Sequence, residues 1–204
     1  NCHSFKMQNP DQMLFHIRSH GGGTFIYNEG VKEKLNTKTN HTISNLVYPS
    51  WHSSGRFVAF SVNSTFQLFH TKDPKRIEVY DEASDVVVYD VANHEIVSSP
   101  ILSTEGAFET FPTFSPDGKW LYFCSSKAVT MPDDDAQARY SWCRTSFNPE
   151  TRQFGEAIDT LYSAFKQGGS VSFPRVSPNG DCLVFTLSNY GQFSIWHKEA
   201  DLYR

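Results

Sequence analysis

The hydrophobic residues of this chain gather in short aromatic and β-branched runs that lack a helical period. Arg56 to Val62, Lys119 to Ser125 and Asp181 to Leu187 are the clearest cases, and they read as central strands of antiparallel sheet. Each follows a turn. In Ser115-Pro116-Asp117-Gly118 the proline presets φ, Asp tolerates the bridge or left-handed region, and Gly accepts positive φ without a Cβ clash. The whole phrase recurs. Tyr48-Pro49-Ser50-Trp51-His52-Ser53-Ser54-Gly55-Arg56-Phe57-Val58-Ala59-Phe60 matches Phe111-Pro112-Thr113-Phe114-Ser115-Pro116-Asp117-Gly118-Lys119-Trp120-Leu121-Tyr122-Phe123. It matches again Phe173-Pro174-Arg175-Val176-Ser177-Pro178-Asn179-Gly180-Asp181-Cys182-Leu183-Val184-Phe185, and the glycines stand 63 and then 62 residues apart. A repeat this regular predicts an array of like units.

Further strands complete each unit. Asp85 to Val91, Tyr140 to Phe147 and Phe193 to Trp196 are expected to pair with the central strands, and Glu95 to Leu102 and Glu156 to Ser163 to lie outside the first two of these. Four antiparallel strands arranged radially make a blade of an all-β propeller. Asn9-Pro10-Asp11-Gln12 opens a weaker copy, with Gln12 in place of the glycine. Blades are therefore expected at about residues 1–43, 44–104, 105–165 and 166–204, the last without outer strands. This is about four blades of a six-bladed or larger ring. The 204-residue array is expected to be an open arc whose last strand leaves an unpaired edge.

The repeated Pro-x-[Trp/Phe]-Ser-Pro-Asp-Gly-[Lys/Arg] phrase resembles that of TolB-like β-propellers, found in periplasmic Tol proteins and in the propellers of prolyl-oligopeptidase-type peptidases. Met13-Leu14-Phe15-His16, Gly22-Gly23-Thr24 and Phe193 to Tyr203 extend the likeness to a group of exported bacterial TolB-like proteins. The resemblance implies a propeller fold and a periplasmic or outer-membrane-associated location. It does not imply an activity, because propellers host unrelated functions.

Composition agrees with an exported β-domain: 15% of residues are aromatic, and the net charge is -4. An acidic balance argues against nucleic acid as a partner, and the basic clusters at Lys32 to Lys34 and Lys72 to Arg76 are interspersed with acids. No stretch approaches the ~20 apolar residues of a membrane span. Gly21-Gly22-Gly23 reads as a hairpin tip, since no Lys-Ser/Thr follows it.

Candidate chemistry is sparse. Cys124 and Cys143 fall on neighbouring strands of one blade, within disulfide reach in one register and two separate thiols in another. Cys182 reads as a buried thiol. A cysteine two positions before Asn1 would complete Cys-x-Asn-Cys-His around Cys2 and His3, the attachment signature of c-type haem, and the resemblance implies such a motif in similar exported proteins. Met7, Met13 and Met131 are then the candidate sixth ligands; the plainer reading is a strand start. No metal pattern emerges from the histidines or from Asp133-Asp134-Asp135. Asn40-His41-Thr42 and Asn63-Ser64-Thr65 match glycosylation acceptors, of consequence only in a eukaryotic secretory route. Gly168-Gly169-Ser170-Val171-Ser172 fails as a nucleophile elbow, so no catalytic residue is assigned.

Insertions at Ser64 to Lys75, Ser126 to Arg139 and Ser188 to Gln192 are expected on one face of the disc, the natural binding face. On the innermost strands Trp51 reads as core, while His52 and Arg175 interrupt apolar positions and are expected to line the channel as ligand contacts. The leading functional expectation is a non-catalytic scaffold of the bacterial envelope that engages a protein or glycan partner without a cofactor. A haem-bearing redox module is the second. An enzyme propeller, of a peptidase or polysaccharide lyase, whose catalytic residues lie elsewhere is the third.

Overall fold

Strand-forming runs separated by Gly-bearing turns fold into four successive antiparallel sheets in a computed structural model, which describes residues 3–17, 20–37, 39–40, 42–72 and 77–204. Cys2, His41 and residues 73–76 of the second basic cluster lie outside the described residues. The first sheet comprises β1 (His3–Phe5), β2 (Gln12–Ile17), β3 (Gly23–Asn28) and β4 (Val31–Lys34); the second comprises β5 (Asn45–Trp51), β6 (Phe57–Phe69), β7 (Ile77–Asp90) and β8 (Glu95–Val97). The third holds β9 (Ala107–Phe114), β10 (Trp120–Lys127) and β11 (Ser141–Asn148), whose outer side pairs with both β12 (Gln153–Phe154) and β13 (Asp159–Tyr162). The fourth holds β14 (Ser170–Val176), β15 (Leu183–Ser188) and β16 (Asp201–Tyr203). Each sheet is a meander, and the strands follow one another in chain order from the channel outward, as in a propeller blade.

The three repeated phrases occupy the β5–β6, β9–β10 and β14–β15 hairpins. Their turns close alike, by Gly55 N–H to His52 C=O at 2.8 Å, Gly118 N–H to Ser115 C=O at 2.9 Å and Gly180 N–H to Ser177 C=O at 2.9 Å. All three glycines have φ between +68° and +79°, which completes a type I turn with its bulge. In the third sheet Asp117 fastens the turn, accepting from Ser115 Oγ at 2.5 Å and from the Lys119 amide at 3.0 Å.

Alternation along each central strand then builds the core, because a blade is covered on both faces. Val58, Phe60 and Val62 point to the first sheet and meet Leu14, Ile26 and Leu46. Phe57 and Ala59, on the other side of β6, meet Leu121, Phe123 and Val88. In the next interface Phe185 joins Tyr122, Cys124 and Trp142. Phe60, Phe123 and Phe185 thus fill three successive interfaces, at 0%, 0% and 9% exposure.

Three elements differ from the expected ones: the outer strand expected over Glu95 to Leu102 stops at Val97, and Pro100–Leu102 is a 3₁₀ turn. Phe193 to Trp196 is not a strand: Ser194–Trp196 is a 3₁₀ turn, and β16 takes the third position of the last sheet. The aromatic run mimics a strand in sequence, but His197 N–H closes a turn to Ser194 C=O. The segment after Ser64 is not a plain loop either. β6 and β7 are 13 and 14 residues long and pair as far as Phe69 and Ile77, so this hairpin extends well beyond the usual strand length of about 5–6 residues.

Candidate functional site

The residue before each repeated proline is aromatic and left-handed: Tyr48, Phe111 and Phe173 have φ of 51°, 53° and 51°. At each the register between innermost and second strand shifts by a bulge. Proline has no N–H to lose from the ladder, so the bulge sits where it disrupts least. Left-handed φ is costly for a bulky side chain, about 1–3 kcal/mol, and packing offsets it here. The bulges turn three rings to a common point, with centroids 4.6 Å apart for Tyr48–Phe111, 4.3 Å for Phe111–Phe173 and 6.0 Å for Tyr48–Phe173.

On the side of the repeated turns, the innermost strands of all four sheets enclose a cavity of about 450 Å³. Arg175 lines it, together with His3, Phe5, Met7, Trp51 and Pro116. The guanidinium donates to its own neighbour's carbonyl, Pro174, at 2.8 Å. Trp51 is half-buried, and its Nε1 donates to Ser4 C=O at 3.3 Å, tying the second sheet to the first.

His52 is not in the channel. It is buried between the second and third sheets, edge-on to Phe57, Phe114 and Phe147. Its Nδ1 accepts from the Ser54 amide at 3.0 Å, which leaves Nε2 protonated to donate to Gly118 C=O, also at 3.0 Å. Burial lowers the imidazole below its ordinary pKa, against the opposing pull of that carbonyl and of Asp117. A Cβ on Gly118 would collide with the ring, so the repeat's glycine serves the clamp as well as the turn. The expected ligand contact is an interface clamp, because the ring is polar at its two nitrogens and both are engaged.

On the opposite side, the elongated β6–β7 hairpin reaches the insertions of the third and fourth sheets. Trp196 Nε1 donates to Ile77 C=O at 2.5 Å, and Gly191 N–H to Ala138 C=O at 3.0 Å. Under this hairpin lies a polar cluster that pattern reading along the chain did not single out. Asp81 accepts from Asn63 Nδ2, from Thr65 Oγ1 at 3.0 Å, and from Gln192. Ser61 Oγ donates to Thr110 Oγ1 at 2.9 Å, joining the second sheet to the third beside Glu109. Asn63 Oδ1, Ser84 Oγ, Glu109 Oε2 and Gln192 Oε1 are buried without a partner among the described residues. Burial raises Asp81 to about 6 and Glu109 to about 7. The signal was present as Asp81 and Glu109 inside strands, where a charged residue rarely points inward unpaired.

Cys124 and Cys143 cannot bond. Cys124 faces Trp142 in the register while Cys143 faces Phe123, so the two side chains leave opposite faces of the sheet, one toward the fourth and one toward the second. Both are free thiols, as is half-buried Cys182. His3 is exposed at the channel mouth, its ring edge-on to Phe5 at 6.0 Å. Among the described residues, no three His, Cys, Asp or Glu side chains gather as a metal site, and no helix is long and apolar enough to cross a membrane.

No family model and no curated protein matches the chain. Among solved structures it is similar to a protein described as a TolB from Agrobacterium tumefaciens, at 14% identity and a TM-score of 0.56, over 93% of this chain and 54% of that one. It is also similar to a dipeptidyl peptidase 4 from Porphyromonas gingivalis, at 14% identity and a TM-score of 0.49, over 91% and 28% of the two chains, and to a tricorn protease, at 12% and 0.48, over 88% and 14%. The chain spans about half the length of the TolB it matches. With its meander sheets, turn-closed repeats and bulged inner strands, the chain has the fold of a TolB-type β-propeller.

Proposed function

We propose that this chain is a non-catalytic binding propeller of the bacterial cell envelope that engages a protein or glycan partner through its insertion-bearing face. The observation that supports this reading is the apolar set displayed there. Phe69 and Ile195 are 71% and 67% exposed, and Ile77 and Trp196 are exposed beside them. Phe69 and Ile77 are cross-strand partners on one face of the β6–β7 hairpin, and Trp196 anchors that hairpin to the last sheet. Clustered exposed aromatics of this kind mark interaction surfaces, where a few large rings carry most of the binding energy.

The test compares the wild-type chain with a Phe69→Ser/Ile195→Ser variant, each immobilised and exposed to bacterial envelope extract and to a panel of envelope polysaccharides. Retention of one component by the wild type and its loss from the variant, at equal thermal stability, is the expected result. Equal retention by both would refute the assignment of this face.

A further inference from the structure

The cavity on the turn side has a chemistry unlike the rest of the surface. In a chain of net charge -4, no Asp or Glu among the described residues lines it. Its cation is Arg175. Among the described residues the guanidinia of Arg56, Arg144 and Arg152 each meet a carboxylate, Asp90, Asp159 and Glu95 respectively, whereas Arg175, like Arg139, meets only backbone carbonyl, in its case that of Pro174. One N–H is used there, and the other donors of the fork remain open to the cavity. Lys6 adds a second positive charge at the rim, its Nζ 5.9 Å from the centre of the Trp51 ring. The nearest turn carboxylate, Asp117, is already committed to Ser115 and the Lys119 amide.

The rest of the lining combines an apolar wall, Phe5 and Met7 well exposed beside Pro49, Pro116 and Pro178, with polar side chains such as Gln8, Ser53 and Thr113. Two of its hydroxyls are spent on the protein itself. Ser50 Oγ accepts from the Phe114 amide, and Ser115 Oγ bonds to Asp117 and to the Trp120 amide. The Tyr48, Phe111 and Phe173 rings, which meet one another, stand immediately before the lining residues of β5, β9 and β14 in the chain. A pocket that sets a guanidinium clear of carboxylates beside an apolar wall and several polar side chains fits the end of a peptide chain, which brings together a carboxylate, an apolar side chain and backbone amides. A sugar acid would leave the apolar wall of Phe5, Met7, Pro49, Pro116 and Pro178 without a partner.

We infer that this mouth binds the free C-terminal carboxylate of an extended peptide chain ending in an apolar residue. Arg175 holds the carboxylate through its planar fork, and Phe5, Met7, Pro49 and Pro116 take up the last side chain. The volume of about 450 Å³ lies in the range of small-ligand clefts and leaves room for about two or three residues. The site lies at the opposite end of the strands from Phe69 and Trp196, so it stands or falls independently of that face.

The experiment is fluorescence anisotropy on the full 204-residue chain with an N-terminally labelled hexapeptide ending in two leucines, as the free acid and as the amide, and with a labelled trigalacturonate. The free acid is expected to bind, with at least a tenfold weaker affinity for the amide and a similar loss in Arg175→Gln, while Arg175→Lys keeps part of the binding. Arg175 is exposed, so Arg175→Gln should melt with the wild type, and Met7→Ser tests the apolar wall separately. Equal binding of acid and amide, no binding of the acid at millimolar concentration, or binding of trigalacturonate in preference to the peptide would each overturn the inference.

Discussion

Tyr48 and Phe173 belong to sheets two repeats apart, yet their rings meet edge to face at 6.0 Å and 81°, with Phe111 of the intervening sheet touching both. The contact exists because each ring stands on a left-handed bulge that aims it inward. Phe111 is the keystone: Phe111→Ala is expected to lower stability by ~3–5 kcal/mol, as is Phe123→Ala in the neighbouring interface. Urea denaturation followed by tryptophan fluorescence gives both values. A loss below ~1 kcal/mol at either site would contradict the packing described.

Stability is expected to fall as pH rises from about 4 to about 7. Burial raises Asp81 from 3.8 to about 6 and Glu109 from 4.5 to about 7, so across this window the native chain holds more protons than the unfolded one. Raising the pH then withdraws protons that only the native state binds tightly, and the slope of unfolding free energy against pH is negative. Asp85, also raised by burial, adds to this slope, whereas His52, lowered by burial, opposes it toward neutral pH. Asp117, held low by Ser115 and the Lys119 amide, and Asp90, where burial is outweighed by Arg56 and loop amides, act at lower pH. Urea midpoints measured at half-unit steps should show the slope, and an Asp81→Asn/Glu109→Gln variant should flatten it.

His52→Ala removes a buried ring and leaves the Gly118 carbonyl without its donor. The expected cost is ~2–4 kcal/mol, from the cavity and the unmade hydrogen bond together. Because Nε2 is the donating atom, His52→Gln is expected to recover part of the loss. Equal loss in both variants would mean that ring packing alone matters.

Native Cys124 and Cys143 are expected to resist alkylation until the chain unfolds. Burial lifts Cys124 well above its ordinary range and Cys143 to about 11, so neither offers thiolate at neutral pH. Mass spectrometry after timed iodoacetamide treatment, with and without urea, checks this. A digest peptide joining the two under non-reducing conditions would show the register of β10 and β11 to be wrong.

Among the described residues β16 pairs only with β15, and its outer edge displays Leu202 and Tyr203. An unpaired edge recruits strands. The 204-residue chain is therefore expected to self-associate with rising concentration, and Leu202→Lys to suppress this. Analytical ultracentrifugation over a hundredfold concentration range decides the point; a monomer throughout would mean that the edge is protected.

What the sequence determined is the repeated unit. Turn residues act locally: proline presets φ, glycine admits the left-handed region, and the aromatic and aliphatic residues at fixed offsets have only one way to alternate along a strand, so Phe60, Phe123 and Phe185 could be placed between sheets before any coordinate was known. What only the tertiary structure decided is where polar side chains end up. His52 and Arg175 looked alike as interruptions of apolar strands, but a neighbouring blade supplies Gly118 C=O to the first and an open cavity to the second. Cys124 and Cys143 were separated by a register of one residue, which local preference does not specify. Asn63 and Asp81 meet within the β6–β7 hairpin, but Gln192 joins them only when that hairpin crosses to the last sheet. Turn geometry is paid out over four residues, whereas register, partnering and burial depend on sheets that pack across more than a hundred.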